Sequence, residues 1–207
     1  MKIALVGATG FVGTAVLNEA LNRGHKVTAI ARNTAKITVS NPNLTLTEAD
    51  AYNGEQLSMA IAGTDAVVST FNSGEDFIKG SESIQQATKK AGIKRFLIVG
   101  GAGSLEVKPG IQLVDTPEFP AEWKKGASAA RDYLDILKKE AELDWTFVSP
   151  AIILHPGQRT GKFRLGTDQP VFDANGKSGI SVEDMAVAII DELEKNQFIK
   201  KRFTLGY

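Results

Sequence analysis

The stretch that decides the fold is residues 1–14, MKIALVGATGFVGT, in which a short apolar segment runs directly into three glycines. Residues 3–6 have the continuous apolar character of a buried strand. We expect Gly7 to allow a tight turn, Gly10 to let backbone N–H groups approach a pyrophosphate, and Gly13 to let the next helix pack closely on the sheet. The stretch therefore predicts a strand–turn–helix unit that binds a dinucleotide at the N-terminus of its helix.

The sequence on either side of the glycines supports this interpretation, because a glycine triplet alone is a weak signal. Residues 12–21 carry apolar side chains on one helical face, and Gly24 ends that pattern. A second apolar strand follows at residues 26–30. The alternative is a glycine-rich turn that binds nothing, and the order of strand, turn, helix and strand favours the dinucleotide site over it.

The end of the second strand indicates which dinucleotide is bound. An acidic residue at this position would hydrogen-bond the adenosine ribose of NAD. Arg32 stands there instead, and its planar guanidinium is suited to the 2′-phosphate of NADP. The sequence therefore favours NADP(H) over NAD(H). The alternative is a solvated surface arginine.

The amino-acid composition indicates which kinds of molecule the chain can bind. The chain has 207 residues, with 24 basic and 24 acidic side chains, no cysteine and two histidines. The balanced charge gives no field that would attract nucleic acid or an anionic membrane, and the absence of cysteine excludes disulfides and thiol catalysis. No apolar run has the length of a membrane span or the form of a signal peptide. We expect one cytoplasmic domain over residues 1–207 that binds a small molecule and holds no metal.

Strands and helices alternate along the rest of the chain. Apolar runs predict strands at residues 44–48, 66–70, 95–99, 145–149 and 202–205, and helical patterns predict helices at 55–61, 82–91, 127–141 and 182–195. Near-continuous apolar strands are typical of a parallel sheet that is covered on both faces. We therefore expect an α/β fold, a Rossmann-like doubly wound parallel sheet with helices on both faces. Residues 151–180 are expected to form a small C-terminal region on the substrate side.

The chain resembles the atypical short-chain dehydrogenase/reductases, in particular their NADH-flavin reductase group, which is related to the NmrA-like proteins and the biliverdin-IXβ/flavin reductases. The resemblance spans nearly the whole chain. It rests on GATGFVG at 7–13, VGGAGS at 99–104, LDWTFVSP at 143–150 and GKFRLGTD at 161–168. Together with the glycine turn and Arg32, it predicts a cofactor site formed by Gly7, Thr9, Gly10, Phe11, Val12, Gly13, Arg32, Asp50, Ala51, Thr70, Phe71, Gly100, Gly101, Pro150 and Ala151.

The resemblance also implies roles for some of these residues. It places Asp50, which follows the third strand, beside the adenine, where its carboxylate can accept from the amino group. It places Thr70 and Phe71 beside the ribose and nicotinamide, the alternative being ordinary strand-end roles. It places the turn at residues 150–151 along the nicotinamide.

One departure from the superfamily bears on the chemistry. Its ordinary dehydrogenases protonate an alkoxide with a Tyr and with a Lys four residues later on one helix. Here Leu137 lies four residues after Tyr133, and Lys138 lies about 140° around the helix from the tyrosine. We expect Tyr133 to pack or hydrogen-bond locally. The candidate polar groups for catalysis are then Ser104 and His155, the alternatives being a loop cap and a hydrogen-bonded loop histidine.

The resulting hypothesis is a reductase that transfers hydride from NADPH to a flavin or a similar planar conjugated acceptor, because this transfer requires chiefly a well-oriented pair of rings. Two other functions stay open. One is a redox sensor of the NmrA type that binds NADP(H) without catalysis, and the other is an epimerase-like enzyme acting on a nucleotide-sugar, which the missing Tyr–Lys spacing disfavours. The acceptor, the oligomeric state and the role of flavin as substrate or bound group are not determined by the sequence.

Overall fold

The structure is a computed structural model that describes residues 1–207 except for the side chain of residue 75. Its strands are β1 (Lys2–Val6), β2 (Lys26–Ala31), β3 (Leu44–Glu48), β4 (Ala66–Ser69), β5 (Arg95–Val99), β6 (Glu106–Lys108), β7 (Ile111–Gln112), β8 (Asp144–Ser149), β9 (Ile153–His155), β10 (Arg164–Gly166), β11 (Gly179–Ser181) and β12 (Lys201–Gly206). Its α-helices are α1 (Phe11–Asn22), α2 (Gly54–Ile61), α3 (Phe77–Lys90), α4 (Ala121–Leu137) and α5 (Val182–Lys195).

The central sheet has eight strands in the order β10-β12-β8-β5-β4-β1-β2-β3. All neighbouring pairs are parallel except β10 and β12, which are antiparallel. The chain winds outward from β1 in both directions, since β2 lies on one side of it and β4 on the other. This arrangement confirms the predicted doubly wound sheet and opens a crevice at the carboxyl ends of β1 and β4.

The sheet separates two apolar cores. Side chains alternate along a strand, so Ile3 and Leu5 of β1 enter one core while Ala4 and Val6 enter the other. Helices α1 and α5 cover the first core, and α2, α3 and α4 cover the second. The continuous apolar strands are explained by this arrangement, because a central strand must bury both of its faces.

Two helix boundaries differ from the prediction. α3 begins at Phe77 instead of residue 82, and α4 spans Ala121–Leu137 instead of 127–141. The first turn of α4 is exposed, so it shows no core-facing periodicity in the sequence. After α4, the Glu140 carboxylate accepts from the backbone N–H groups of residues 142 and 143 and fixes the turn into β8.

Residues 151–180 form a small extra region at one edge of the sheet. β9 pairs with β11 in a separate parallel sheet, and β10 pairs with β12 at the edge of the main sheet. The intervening loop is bound to the helices beneath it. Asp184 of α5 accepts from the N–H groups of Thr160 and Gly161, and Arg159 donates two hydrogen bonds to Glu19 of α1.

In the part of the chain that the structure describes, no helix is long and apolar enough to cross a bilayer.

Candidate cofactor and active site

A pocket of about 950 Å³ lies over the carboxyl ends of the central strands, near the upper end of the range for small-molecule sites. Its lining contains thirteen of the fifteen residues predicted for the cofactor. These are Gly7, Thr9, Gly10, Phe11, Val12, Arg32, Asp50, Ala51, Thr70, Phe71, Gly100, Gly101 and Pro150. Of the other two, Gly13 lies behind the first turn, and Ala151 is buried in the core beneath the pocket.

The glycine turn has the geometry that its sequence predicts. Gly7 adopts a positive φ of 86°, which a residue with a side chain rarely adopts. A Cβ atom on Gly13 would overlap the carbonyl oxygen of Gly7. Glycine at position 13 therefore lets α1 begin directly against the turn, as expected.

The N-terminus of α1 presents unpaired donors to the pocket. Gly10 is the N-cap and supplies no side-chain cap, and the first turn contains no acidic residue. Within the described residues, the backbone N–H groups of Phe11, Val12 and Gly13 make no hydrogen bond to a turn, loop or side-chain acceptor. These three donors and the positive end of the helix dipole fit a pyrophosphate.

Thr70 and Phe71 line the pocket and also hold neighbouring segments in place. The Thr70 hydroxyl lies 3.1 Å from the carbonyl oxygens of both Val6 and Gly7, so it can donate to either. The Phe71 ring packs so closely on α3 that a Cβ atom on Gly80 would overlap it. Both residues thus stabilise neighbouring segments, as ordinary strand-end residues do, and both also line the pocket.

The wall beside β3 is built around Asp50. One carboxylate oxygen of Asp50 accepts from the N–H of Tyr52 at 3.0 Å, which leaves the other oxygen without a partner among the described residues. Tyr52 lies edge-to-face with Phe71, with ring centroids 5.9 Å apart, and its hydroxyl donates to Ser73 at 3.3 Å. Sequence reasoning missed Tyr52, although its place directly after Asp50 and Ala51 was an available signal.

Arg32 lies at the pocket wall beyond β2 and is exposed. Among the described residues, no hydrogen bond or ion pair holds its guanidinium. The nearest strand-end carboxylate, Glu48, accepts instead from the backbone N–H and the hydroxyl of Thr34. The guanidinium is therefore accessible to an anion in the pocket.

The wall opposite the glycine turn comes from α4, which the sequence analysis did not include in the site. Residues 122, 123, 125, 126, 127 and 130 line the pocket. Gly126 brings the helix close to the loop after β4, because a Cβ atom on it would lie 3.4 Å from the Cα of Gly74. Of residues 151–180, only Leu154 is in the lining. Residues 151–180 thus contribute less to this lining than α4 does, and their place on the substrate side stays a prediction.

The family model of NAD(P)H-binding proteins matches residues 7–196 of the chain, which is most of its length and includes both the glycine turn and α4. The chain belongs to this NAD(P)H-binding family. Its Rossmann-like sheet and the motifs at 7–13 and 99–104 are consistent with an atypical short-chain dehydrogenase/reductase, which the sequence predicted.

Three solved structures resemble this family member over its full length. A candidate epimerase from Bacteroides thetaiotaomicron is 48% identical, with a TM-score of 0.96 and coverage of 100% of this chain and 96% of that chain. A candidate exported protein from Burkholderia pseudomallei is 42% identical, with a TM-score of 0.92 and full coverage of both chains. A candidate NADH-flavin reductase from Streptococcus pneumoniae is 37% identical, with a TM-score of 0.86 and coverage of 100% of this chain and 99% of that chain.

The cytoplasmic location of this chain stays a prediction, since one of these similar proteins is a candidate exported protein.

The two polar groups that the sequence suggested for catalysis in this NAD(P)H-binding protein lie outside the pocket lining. Ser104 is buried, and its hydroxyl oxygen accepts from Arg202 at 2.8 Å. His155 is exposed, and its Nδ1 lies 2.9 Å from the carbonyl oxygen of Pro156. His155 thus has the hydrogen bond of the loop-histidine alternative, whereas Ser104 accepts from a distant arginine and does not cap its own loop, and the catalytic role of both residues stays a prediction.

Tyr133 also has a local role, as predicted. It is fully buried, its hydroxyl donates to Gln85 at 2.8 Å, and its ring lies edge-to-face with Phe77. Burial raises the pKa of Tyr133 far above its ordinary value. Lys138 pairs with Asp135 at 2.9 Å. The helix therefore offers no Tyr–Lys pair for proton transfer.

Proposed function

We propose that the protein is a reductase that transfers hydride from NADPH to a planar conjugated acceptor, with a flavin as the leading example. One observation carries this proposal. The pocket combines a dinucleotide-binding turn on one side with a wall from α4 on the other, and that wall carries Trp123 and small residues beside Glu122 and Lys125 but lacks a Tyr–Lys pair. Hydride transfer between two flat rings needs such a wall more than it needs a dedicated acid.

The cofactor half of the proposal rests on three groups of donors and acceptors. The unpaired N–H groups at the start of α1 would bind the pyrophosphate. The open carboxylate oxygen of Asp50 would accept from the adenine amino group. The exposed guanidinium of Arg32 would bind the 2′-phosphate, and this contact would select NADPH over NADH.

Bound NADPH supplies a hydride, so the acceptor gains two electrons and one hydrogen nucleus while NADP⁺ is left behind. The protein's own part is to hold the two rings against each other and to exclude water. Pro150 and Leu154 offer apolar surface on one side of the pocket, and α4 offers its first turns on the other. A flavin reduced in this way can take any further proton from solvent.

The ionisable side chains of the described lining support this acceptor class. They are Arg32, Asp50, Tyr52, Glu122 and Lys125. The first three follow β2 and β3 in the chain, and the last two lie on α4. On α4 the lining residues four positions apart are Glu122–Gly126, Trp123–Ala127 and Gly126–Ala130, so no pair combines a tyrosine with a lysine.

An epimerase is the second candidate, favoured by the 48% identity to the candidate epimerase of known structure. Epimerisation by transient oxidation of a sugar removes a hydroxyl proton and later returns it, which requires a positioned acid and base. The α4 wall carries Glu122 and Lys125 but no tyrosine with a lysine four positions away. We therefore place the reductase first.

The test is an assay of the purified protein with NADPH or NADH and with FMN, FAD, riboflavin or a quinone, against a blank without protein. The proposal predicts that NADPH is oxidised faster than NADH and that the flavin or quinone is reduced. Thermal stabilisation by NADPH without oxidation by any of these acceptors would overturn it and favour the sensor. Conversion of a nucleotide-sugar without net consumption of cofactor would favour the epimerase.

A further inference from the structure

An exposed tryptophan stands at the pocket on the first turn of α4. Trp123 is 64% exposed and belongs to the pocket lining. Among the described residues, its indole has no hydrogen-bond or ring partner, and its backbone N–H donates to the carbonyl oxygen of Pro120. The other tryptophan, Trp145 of β8, is 3% exposed and packs in the core beneath the sheet. Single exposed apolar side chains are common, but this one is large, aromatic and placed on a ligand pocket.

The backbone beneath Trp123 is held firmly although the indole is free. Three small residues on the next turns of α4 pack against the glycine-rich segments that follow β4 and β5. Gly126 contacts Gly74, and a Cβ atom on Gly103 would lie 3.0 Å from that of Ala127. Ala130 lies near Gly101 in the same way, at 3.6 Å. These close approaches fix the helix axis at the pocket, so the backbone that carries the indole is in place before any ligand binds.

We propose that Trp123 is the residue on which the ring system of the acceptor stacks, an inference that rests on the proposed reductase function. The indole offers the largest aromatic face of any side chain and prefers offset stacking on another flat ring. The opposite wall, with Pro150 and Leu154, is apolar and also suits a flat ring. The ligand class that we infer is therefore a planar conjugated system such as an isoalloxazine.

The kinetic test compares Trp123→Ala and Trp123→Phe with the wild type. The alanine variant should raise the KM for FMN by about tenfold, while the KM for NADPH stays unchanged, because the cofactor is held by other walls of the pocket. The phenylalanine variant should recover most of the affinity, since a flat ring is kept. Phe172→Ala is the matched control, because Phe172 is 43% exposed and lies outside the pocket lining.

A spectroscopic test does not depend on turnover. Oxidised FMN is added to the protein in the presence of NADP⁺, and the difference absorbance spectrum is recorded. Stacking on an electron-rich indole should give a long-wavelength tail that Trp123→Ala and Trp123→Phe lack and Phe172→Ala keeps. The thermal unfolding temperatures of the variants should match the wild type, because the indole is exposed.

The outcomes separate the two proposals. Flavin reduction with an unchanged KM and an unchanged difference spectrum in Trp123→Ala would overturn the stacking role while the reductase function stands. A tail that depends on Trp123 without oxidation of NADPH would support the stacking role and overturn the reductase function. The absence of both flavin binding and flavin reduction in the wild type would overturn both.

Discussion

The carbonyl oxygen of Gly7 occupies the space that a Cβ atom on Gly13 would need. Gly7 sits in the turn after β1, and Gly13 lies in the first turns of α1. The backbone of the helix thus rests directly on the backbone of the turn, which places the unpaired N–H groups of α1 at the pocket. The cofactor site depends on this contact.

Gly13→Ala should therefore lower both stability and cofactor affinity. The added methyl meets a backbone carbonyl that cannot rotate away, so we expect a loss of about 1–3 kcal/mol in the free energy of unfolding. Urea unfolding and titration with NADPH measure the two effects. Gly54→Ala is the control, because a Cβ atom there finds its nearest neighbour at 3.9 Å. Wild-type stability and affinity in Gly13→Ala would contradict the packing argument.

Arg32→Ala should weaken the binding of NADPH and leave the binding of NADH nearly unchanged. The lost contact is a charge-assisted hydrogen bond to a phosphate, worth about 1.5–3 kcal/mol. Calorimetric titration with both cofactors measures the difference. Lys26→Ala removes the same charge from the opposite end of β2 and should affect neither cofactor. Equal losses for the two cofactors in Arg32→Ala would show that the guanidinium does not bind the 2′-phosphate.

Ser104→Ala and His155→Ala should leave the catalytic rate and its pH profile unchanged, because neither side chain lines the pocket. Ser104→Ala should still cost roughly 1 kcal/mol of stability, since Arg202 loses the acceptor of one hydrogen bond. Steady-state rates across neutral pH and urea unfolding separate these effects. A large fall in kcat for either variant would show that the substituted residue takes part in catalysis.

The Asp184 carboxylate should make the fold sensitive to acid. Burial tends to raise its pKa, but hydrogen bonds from Thr160, Gly161 and Tyr207 outweigh burial and hold the pKa below its ordinary value. A lowered pKa in the folded state contributes stability that is present above the unfolded pKa of about 3.9 and is lost as the pH falls through the folded value.

Urea unfolding at neutral pH and in mild acid measures this contribution for the wild type and for Asp184→Asn. The variant should be less stable at neutral pH by about 1–3 kcal/mol, because an amide accepts fewer of the donated hydrogen bonds. The stability difference between the two proteins should shrink as the pH is lowered. A difference that is constant with pH would contradict the linkage.

Much of the fold could be predicted because its signals are local. The apolar runs at 3–6 and 96–99 already require a sheet buried on both faces, and the glycines fix the turn after β1. β10 was harder to predict. It has three residues and pairs antiparallel with β12 some forty positions later, so its place at the sheet edge depends on long-range pairing.

The pocket residues that directly follow strand ends could be predicted from the sequence. Those that contacts between distant segments bring to the pocket could not. The lining residues at 50–51, 70–71 and 100–101 follow from strand order, since parallel strands share one carboxyl edge. The hydrogen bond between Ser104 and Arg202 could not be predicted, because the two residues are 98 positions apart in the sequence. Trp123 was missed because the contact of Gly126 with Gly74, which brings α4 to the pocket, leaves no periodic signal.

The central claim is hydride transfer from NADPH to a flat ring, and the most direct measurement is the absorbance of oxidised FMN after anaerobic mixing with the protein and NADPH. The account predicts bleaching of the flavin band in step with NADPH oxidation, faster than with NADH and faster than in a blank without protein. A flavin that stays oxidised at the blank rate while NADPH is shown to be bound would contradict it.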